Sequence, residues 1–181
     1  MTAELCAILL AGGRSSRMGR DKALLPWRGR AMIDHMIELL HRAGTTRVVV
    51  SGDRPLHGGI PDACPGTGPV GGLASAMGAC ADGPAVVVPV DLPRLDASRL
   101  AVLAGSLQGH RAAHFAGHPL PCVLTLDAES RALIAEVAMR GGARASMRAL
   151  LDALGAVALA PGDAHDLHPC NTPADYAALA Q

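Results

Sequence analysis

Three runs of mainly apolar residues, each ending at glycine, serine or aspartate, stand out along the chain, at positions 5–10, 46–52 and 84–91. Their continuous hydrophobicity is typical of strands buried on both faces of a sheet. Between the first two runs, apolar residues recur at helical spacing over 32–40, and Gly44 ends the predicted helix. A strand, a helix and a strand in this order predict parallel strands joined by a right-handed crossover. The pattern therefore predicts an α/β fold.

The remaining elements follow from the same periodicities and from turn and capping residues. Helices are predicted over 70–80, 97–107, 127–139 and 147–154, strands over 111–116 and 120–126, and a last short helix after the capping box at 172–175. The segment 55–69 is dense in proline and glycine, so it is predicted to be mostly loop, with a short strand near Ile60. No repeat or long linker divides the chain, and we expect one domain over residues 1–181.

Composition narrows the classes of function. The chain carries 16 basic and 16 acidic residues and has no formal net charge, which argues against a dedicated nucleic-acid binder. No apolar run reaches the roughly eighteen residues of a membrane span, and no basic segment precedes the first run. The cysteines are odd in number and form no CxxC pair, which predicts reduced thiols: Cys6, Cys64, Cys80, Cys122 and Cys170. We expect a cytoplasmic protein with neither nucleic acid nor membrane as a partner.

The loop after the first predicted strand combines two glycines with a group of cations. Gly12 and Gly13 follow the strand after Ala11, and paired glycines there let backbone N–H groups approach an anion. Positive charge within a few residues comes from Arg14, Arg17, Arg20 and Lys22. The loop is no Walker motif, because five residues separate Gly13 from Gly19 and an arginine follows. It is therefore predicted to bind phosphate groups in a manner unlike that of a P-loop kinase.

Asp91 is the carboxylate that the pattern singles out. It ends the third predicted strand, so its side chain is expected at the same sheet edge as the glycine loop. A carboxylate that faces a phosphate-binding loop suits a Mg²⁺ ion between them, since this hard cation takes oxygen ligands from protein and phosphate. The alternative is a structural role, in which Asp91 caps a short turn that enters Pro93.

Two further patterns suggest a ligand site at first sight, but their surroundings disfavour it. The segment 66–71 matches GxGxxG, with Asp91 twenty residues beyond Gly71, but no strand leads into it, which disfavours a dinucleotide fingerprint. Histidines recur over 110–118 and 165–170 in segments with glycine and proline, where solvated side chains are more typical than a zinc site.

Short motifs in a fixed order extend along almost the whole chain, at positions 10–13, 17–19, 21–22, 61–62, 68–73, 89–93, 118–119 and 171–175. This ordered set resembles the molybdenum cofactor guanylyltransferases, a family of the nucleotidyltransferase superfamily. The resemblance implies a single-domain, three-layer, Rossmann-like nucleotidyltransferase fold with a mostly parallel central sheet.

The resemblance also implies an activity. GTP and Mg²⁺ would bind, and the terminal phosphate of molybdopterin that carries molybdenum would attack the α-phosphorus of GTP. Pyrophosphate would leave, and the guanine dinucleotide form of the cofactor would be made. Such a transfer depends mostly on charge neutralisation and alignment. Molybdoenzymes or their chaperones are then expected as further partners.

By residue match, the implied nucleotide contacts are Leu10, Ala11, Gly12, Gly13, Lys22, Ser51, Asp62 and Asp91. Among these, Lys22 would hold the phosphates, Asp62 would recognise guanine and Asp91 would bind Mg²⁺. Arg17 is an additional clamp by its charge and position, which makes Lys22, Asp91 and Arg17 the expected catalytic set.

The acceptor side departs from the family pattern. His118 and Asn171 are the candidate contacts to the pterin. The family usually has a second asparagine at the position of Pro169, and it often has asparagine at the position of Ser51, where the base would be contacted.

Two other functions remain open. A cytidylyltransferase of the same fold could act on molybdopterin or another phosphorylated acceptor, although relatives that use CTP tend to carry Ala-Ala-Gly where this chain has Ala11-Gly12-Gly13. A non-catalytic chaperone could hold the cofactor or its nucleotide. Such a chaperone would not need both a cation that holds the phosphates and a carboxylate that binds the metal. This chain carries both, in Lys22 and Asp91, which argues against the chaperone.

Overall fold

The computed structural model describes residues 4–13, 20–63 and 65–179, and its centre is a six-stranded sheet. In chain order the strands are β1 Cys6–Leu10, β2 Pro26–Trp27, β3 Arg30–Ala31, β4 Arg47–Ser51, β5 Gly83–Pro89, β6 Ala112–Phe115, β7 His118–Leu126 and β8 Val157–Leu159. The large sheet has the order β4-β1-β5-β7-β6-β8, while β2 and β3 form a separate hairpin. Among its described strands only β7 runs against the others, so the mostly parallel sheet is confirmed.

Strand β1 lies between β4 and β5, and all five of its residues are apolar and buried. It pairs in parallel with β4 and with β5, and Leu10 lies opposite both Ser51 and Pro89. Successive side chains point to opposite faces, so Ile8 and Leu9 belong to different core clusters. The three strands therefore end level at one edge of the sheet.

Helices cover both faces of the sheet. Their bounds are α1 Met32–Arg42, α2 Gly68–Ala76, α3 Ala97–Gly105, α4 Ala128–Met139, α5 Met147–Ala153 and α6 Pro173–Leu179. On one face α1 and α3 bury Met36 and Leu100, and on the other face α2, α4 and α5 bury Leu73, Ile134 and Leu150. The three-layer α/β architecture is thus confirmed. Within the described residues, no helix is long and apolar enough to cross a membrane.

Most predicted elements occur with small changes of boundary. The helix predicted over 70–80 begins at Gly68 and ends at Ala76, and a 3₁₀ turn over Met77–Ala79 follows it. The strand expected near Ile60 is a single parallel bridge to Ser51. The β2–β3 hairpin and β8 were not predicted, because pieces of two or three residues are too short to show a period.

The prediction that all cysteines are reduced is wrong, because a disulfide joins Cys6 and Cys80. Cys6 begins β1 and Cys80 follows the 3₁₀ turn after α2, and both belong to the core cluster on the α2 face. Folding thus brings together two residues that are 74 positions apart, a distance that carries no sequence signal. Cys122 and Cys170 are buried free thiols, and burial raises the pKa of Cys122 to about 12.

The start of α4 shows how a polar residue sets a helix boundary. The Asp127 carboxylate accepts the backbone N–H of Ser130 at 2.8 Å, and the Ser130 hydroxyl accepts the N–H of Asp127 at 2.9 Å. This capping box satisfies two N–H groups that the helix cannot pair itself. The bond from the Ser130 amide holds the pKa of Asp127 below its ordinary value, helped by the nearby Arg111.

Replacing Asp127 by Ala should lower the free energy of unfolding by about 1 kcal/mol at pH 7, because α4 loses its N-cap acceptor. Since the folded-state pKa is lowered, the stability that ionised Asp127 contributes is present at neutral pH and is lost as the pH falls through that pKa. The difference in the free energy of unfolding between wild type and Asp127→Ala should therefore become smaller in acid. Urea denaturation at pH 7 and at successively lower pH measures it.

Glu129→Ala is the matched control, since Glu129 pairs with the same Arg111 but is 80% exposed. Its loss should stay below about 0.5 kcal/mol. An equal loss in the control, or a gap that stays constant in acid, would contradict the capping account.

Candidate active site

A cavity of about 760 Å³ opens at the carboxyl ends of β1, β4 and β5. This is where ligands bind in open α/β sheets, and the volume is within the range of small-molecule and cofactor sites. Its lining is Leu10, Ala11, Gly12, Gly13, Asp21, Lys22, Ala23, Ser51, Arg54, Asp62, Pro65, Gly66, Gly68, Pro69, Gly72, Pro89, Val90 and Asp91. All eight predicted nucleotide contacts are in this set. Arg17 lies outside the described residues.

The glycine loop continues the sheet before it turns into the cavity. The Ala11 N–H donates to the Ser51 carbonyl at 2.9 Å, which extends the β1–β4 pairing by one residue. Gly12 and Gly13 come next and are exposed at the cavity. Gly13 has a φ of 105°, a conformation that side chains disfavour. The paired glycines therefore present main-chain groups to the cavity, as an anion site requires.

The loop after β4 approaches the glycine loop too closely for a side chain at Gly52. A Cβ added there would lie 2.7 Å from the N and Cα atoms of Gly12, and its φ of 118° also favours glycine. A Cβ at Gly72 on α2 would lie 2.7 Å from the Ser51 hydroxyl oxygen. These contacts bring β1, β4 and α2 together around one corner of the cavity. The sequence reasoning used Gly52 only as a strand end and missed this role.

Asp62 lies in that corner. Its carboxylate accepts a hydrogen bond from the buried Ser51 hydroxyl at 3.4 Å, and its Oδ2 would be 3.3 Å from a Cβ at Gly12. The preceding Ile60 is tied to β4, because its N–H donates to the Val50 carbonyl at 2.9 Å. The predicted base-recognition residue is therefore held beside the glycine loop.

Lys22 and Asp91 also line the cavity and form an ion pair. The Lys22 ammonium lies 3.1 Å from Asp91 Oδ2 and donates to Asn171 Oδ1 at 2.6 Å. The Lys22 and Asp91 side chains are 18% and 20% exposed, so the pair is largely shielded yet accessible from the cavity. The Cys170 N–H donates to the Asp91 carbonyl at 2.8 Å, which joins the C-terminal segment to the end of β5.

Asn171 is held by the start of α6. The Asp175 carboxylate accepts the N–H groups of Asn171 and Thr172 at 2.9 Å and 2.7 Å. The Asp175 N–H donates in return to the Thr172 hydroxyl at 3.1 Å, so the predicted capping box is confirmed. The bonds to the carboxylate, led by the one from Asn171, keep the pKa of Asp175 below its ordinary value. The structure thus joins Asn171 to Lys22, the cation predicted to hold the phosphates, which also pairs with Asp91, the predicted Mg²⁺ ligand.

His118 lies apart from this group. It begins β7, whose antiparallel register with β5 places it towards the same sheet edge as Asp91. Its carbonyl accepts a hydrogen bond from His114 Nδ1 at 3.1 Å. In the described part of the chain His118 is not among the residues that line the cavity. Its role towards the acceptor stays a prediction.

Arg54 is a further site residue that the sequence reasoning missed. It lines the cavity, and its guanidinium contacts both Ala11 and Asp21, at the two ends of the glycine loop. A cation three residues beyond a buried strand, at the predicted ligand edge, was the available signal. That signal is weak, because a lone arginine in a turn is most often a solvated side chain.

Comparison with known proteins agrees with this geometry. Residues 7–164 match the family described as the MobA-like NTP transferase domain. The chain is 44% identical over 175 residues to a molybdenum cofactor guanylyltransferase of Xanthomonas euvesicatoria pv. vesicatoria, with 95% of this chain and 92% of the relative covered. A protein of the same name from Pseudomonas fluorescens is 31% identical over 186 residues, with 92% and 88% covered.

Among solved structures, molybdopterin-guanine dinucleotide biosynthesis protein A from Archaeoglobus fulgidus superimposes with a TM-score of 0.76. The two chains are 18% identical, and 97% of this chain and 96% of the other are covered. At that identity the superposition supports the fold, while the sequence matches support the family. The chain therefore belongs to the MobA-like NTP transferase family and is a nucleotidyltransferase.

Proposed function

We propose that the protein transfers GMP from GTP to the terminal phosphate of molybdopterin that carries molybdenum. The products are molybdopterin guanine dinucleotide and pyrophosphate. The observation that carries the proposal is the pairing of Lys22 with Asp91, beside Asn171, at a cavity lined by the glycine loop. Transfer between phosphates needs cations and aligned reactants more than covalent help, and this cavity supplies the groups for both. The relatives named above carry the same function in their names.

The phosphates of GTP are proposed to lie against the glycine loop. Gly12 and Gly13 have no side chains to block the approach, so their N–H groups suit phosphate oxygens. The Lys22 ammonium is 3.1 Å from Asp91 and lines the same cavity, so it can donate to the triphosphate. Arg17 is proposed as a further clamp on the charge that develops in the transition state.

Asp91 is the proposed ligand of Mg²⁺. Its carboxylate offers the oxygen chemistry that this cation prefers and is reachable from the cavity. Among the described residues, no group of three or more acidic, histidine or cysteine side chains could hold a metal ion. Mg²⁺ commonly binds through one or two carboxylates and takes its other ligands from phosphate and water, so the proposal needs only Asp91 from the protein. When bound, the ion would neutralise charge on the phosphates.

Asp62 is the proposed guanine contact. A carboxylate can accept hydrogen bonds from both the N1–H and the 2-amino group of guanine, a donor pair that cytosine and adenine do not offer in the same arrangement. The bond from Ser51 and the tight packing at Gly12 hold this carboxylate in one place. A positioned charged acceptor is what discrimination between bases requires.

The acceptor phosphate is proposed to approach from the side of Asn171, with His118 as a second candidate contact. Asn171 accepts from Lys22, so an acceptor there would lie next to the cation that holds the triphosphate. We further propose that one domain over 1–181 carries the reaction in the cytoplasm, where GTP is available, and that molybdoenzymes or their chaperones receive the product.

Asp91→Asn should lower the rate of pyrophosphate release from GTP and molybdopterin by about 100-fold, because a neutral amide cannot balance the charge of a metal ion or of Lys22. Asp53→Asn is the control, since Asp53 is an exposed carboxylate near the same edge but outside the cavity lining. It should keep the wild-type rate. Full activity of Asp91→Asn in a folded protein would contradict the assignment.

Asp62→Ala should reduce the preference for GTP over inosine triphosphate, which lacks the 2-amino group. A hydrogen bond to a charged acceptor corresponds to a preference of about 10- to 100-fold, and the variant should retain at most about twofold. Competition of the two nucleotides in the transfer assay measures it, with Asp53→Ala as the control. An unchanged preference would remove Asp62 from base recognition.

The alternative of CTP as the donor is tested by thermal shift in the presence of Mg²⁺. A nucleotide at a hundred times its Kd should stabilise the fold by about 2.7 kcal/mol. We expect that shift with GTP and a much smaller one with CTP at the same concentration. The reverse order would point to a cytidylyltransferase.

A further inference from the structure

Arg54 lines the cavity and makes several hydrogen bonds there, but the proposed mechanism gives it no role. It follows β4, lines the cavity and has a side chain that is 16% exposed. Its backbone carbonyl accepts the N–H groups of His57 and Gly59 at 2.9 Å each, so a tight turn fixes its position. A Cβ at Gly59 would lie 2.6 Å from the Arg54 Cβ. The side chain therefore leaves from a well-defined point.

The first partner of Arg54 is the carbonyl of Ala11, at the start of the glycine loop. Nε and Nη2 donate to this oxygen at 3.0 Å and 2.8 Å. The carbonyl of Ala11 and the N–H of Gly12 belong to one planar trans peptide, in which the two groups point in opposite directions. By fixing the carbonyl, Arg54 also fixes the direction of the Gly12 N–H.

The second partner is Asp21, at the end of the same loop. Nη2 donates to Oδ1 at 2.8 Å, and Nη1 donates to Oδ2, which gives a two-pronged ion pair. Asp21 Oδ1 also accepts the N–H of Ala23 at 3.1 Å and so caps the 3₁₀ turn that carries Lys22. One guanidinium thus joins residue 11 to residue 21 across the loop.

The ion pair with Arg54 also offsets the negative charge that Asp21 brings to the cavity. Asp21 lines the cavity next to Lys22, where an unpaired carboxylate would repel a triphosphate. The Arg54 guanidinium neutralises it within hydrogen-bond distance. Removing Arg54 would therefore break the link between the Ala11 carbonyl and Asp21 and also expose a negative charge to the nucleotide.

We propose that Arg54 is a positioning residue of the nucleotide site, which ties the two ends of the glycine loop together and neutralises Asp21 beside the phosphates. The inference rests on the proposed function for its ligand, a nucleoside triphosphate with its metal. Arg54 acts through Ala11 and Asp21, so this role requires no contact between its guanidinium and the reacting atoms.

The test compares the Kd of GTP with Mg²⁺, measured by calorimetry, between Arg54→Ala and a matched control. Arg131→Ala is the control, because Arg131 donates to the carbonyls of Met77 and Cys80 and to the Asp82 carboxylate, a similar set of contacts away from the cavity. Arg54→Ala should raise the Kd by about tenfold, which corresponds to about 1.4 kcal/mol. Arg131→Ala should stay within about twofold of wild type.

Two further variants separate positioning from general stability. Arg54→Lys keeps the charge but cannot form the fork, so its Kd should lie between wild type and Arg54→Ala. It is also the reserve variant if Arg54→Ala does not fold. Adding Asp21→Asn to Arg54→Ala should bring the Kd back towards wild type, because the uncompensated charge is gone. A purely structural role predicts instead that the double variant binds GTP still more weakly, and that result would overturn the proposal. Equal effects of Arg54→Ala and Arg131→Ala on the Kd would overturn it as well.

Hydrogen exchange keeps the test independent of the proposed function. The N–H of Ala11 is bonded to Ser51 and that of Ala23 to Asp21. Both should exchange faster in Arg54→Ala than in wild type and Arg131→Ala. If wild type binds no GTP, the proposed function fails while faster exchange still supports the loop contact. Unchanged exchange overturns the inference whatever the nucleotide result.

Discussion

The site depends on one constraint: the parallel strands β1, β4 and β5 end in register at the same edge of the sheet. Leu10 of β1 pairs with Ser51 of β4 and with Pro89 of β5, so the loops that follow all leave from one line. Two bonds carry the pairing past the strands: Ala11 N–H to the Ser51 carbonyl at 2.9 Å and Val90 N–H to the Leu10 carbonyl at 3.0 Å. A shift of one residue would turn every side chain of β1 to the other face and disrupt the packing of both core clusters, which opposes a change of register.

The close approach of the loops explains why so few side chains occupy the cavity corner. Gly52 lies against Gly12, and Gly72 lies against Ser51, each at a distance that excludes a Cβ. The space that remains is lined by main-chain groups and by charged side chains brought from several elements. A nucleotide needs this combination, because its phosphates are recognised by N–H groups and cations, and its base by a directed acceptor.

Four of the charged side chains that line the cavity form two opposite pairs, while the Asp62 carboxylate accepts the Ser51 hydroxyl. Lys22 lies beside Asp91, and Arg54 lies beside Asp21. A partly buried charge without a partner would be costly, whereas a paired and hydrogen-bonded one can be held in place. Lys22 bonds both Asp91 and Asn171, so the cation is positioned by two segments from distant parts of the chain. Pairing keeps these groups ordered while they remain open to the cavity.

The sequence by itself determined the α/β class, the buried strands, most helices with their caps, and the placement of Lys22 and Asp91 at one edge of the sheet. These features depend on local periodicity, capping and strand-end position, which neighbouring residues encode. Only the tertiary structure decided the Cys6–Cys80 disulfide, the fork of Arg54, the short strands and the meeting of Lys22 with Asn171, 149 positions away. The physical reason is that such contacts follow from how strands register and loops approach in space, which no local pattern of residues records.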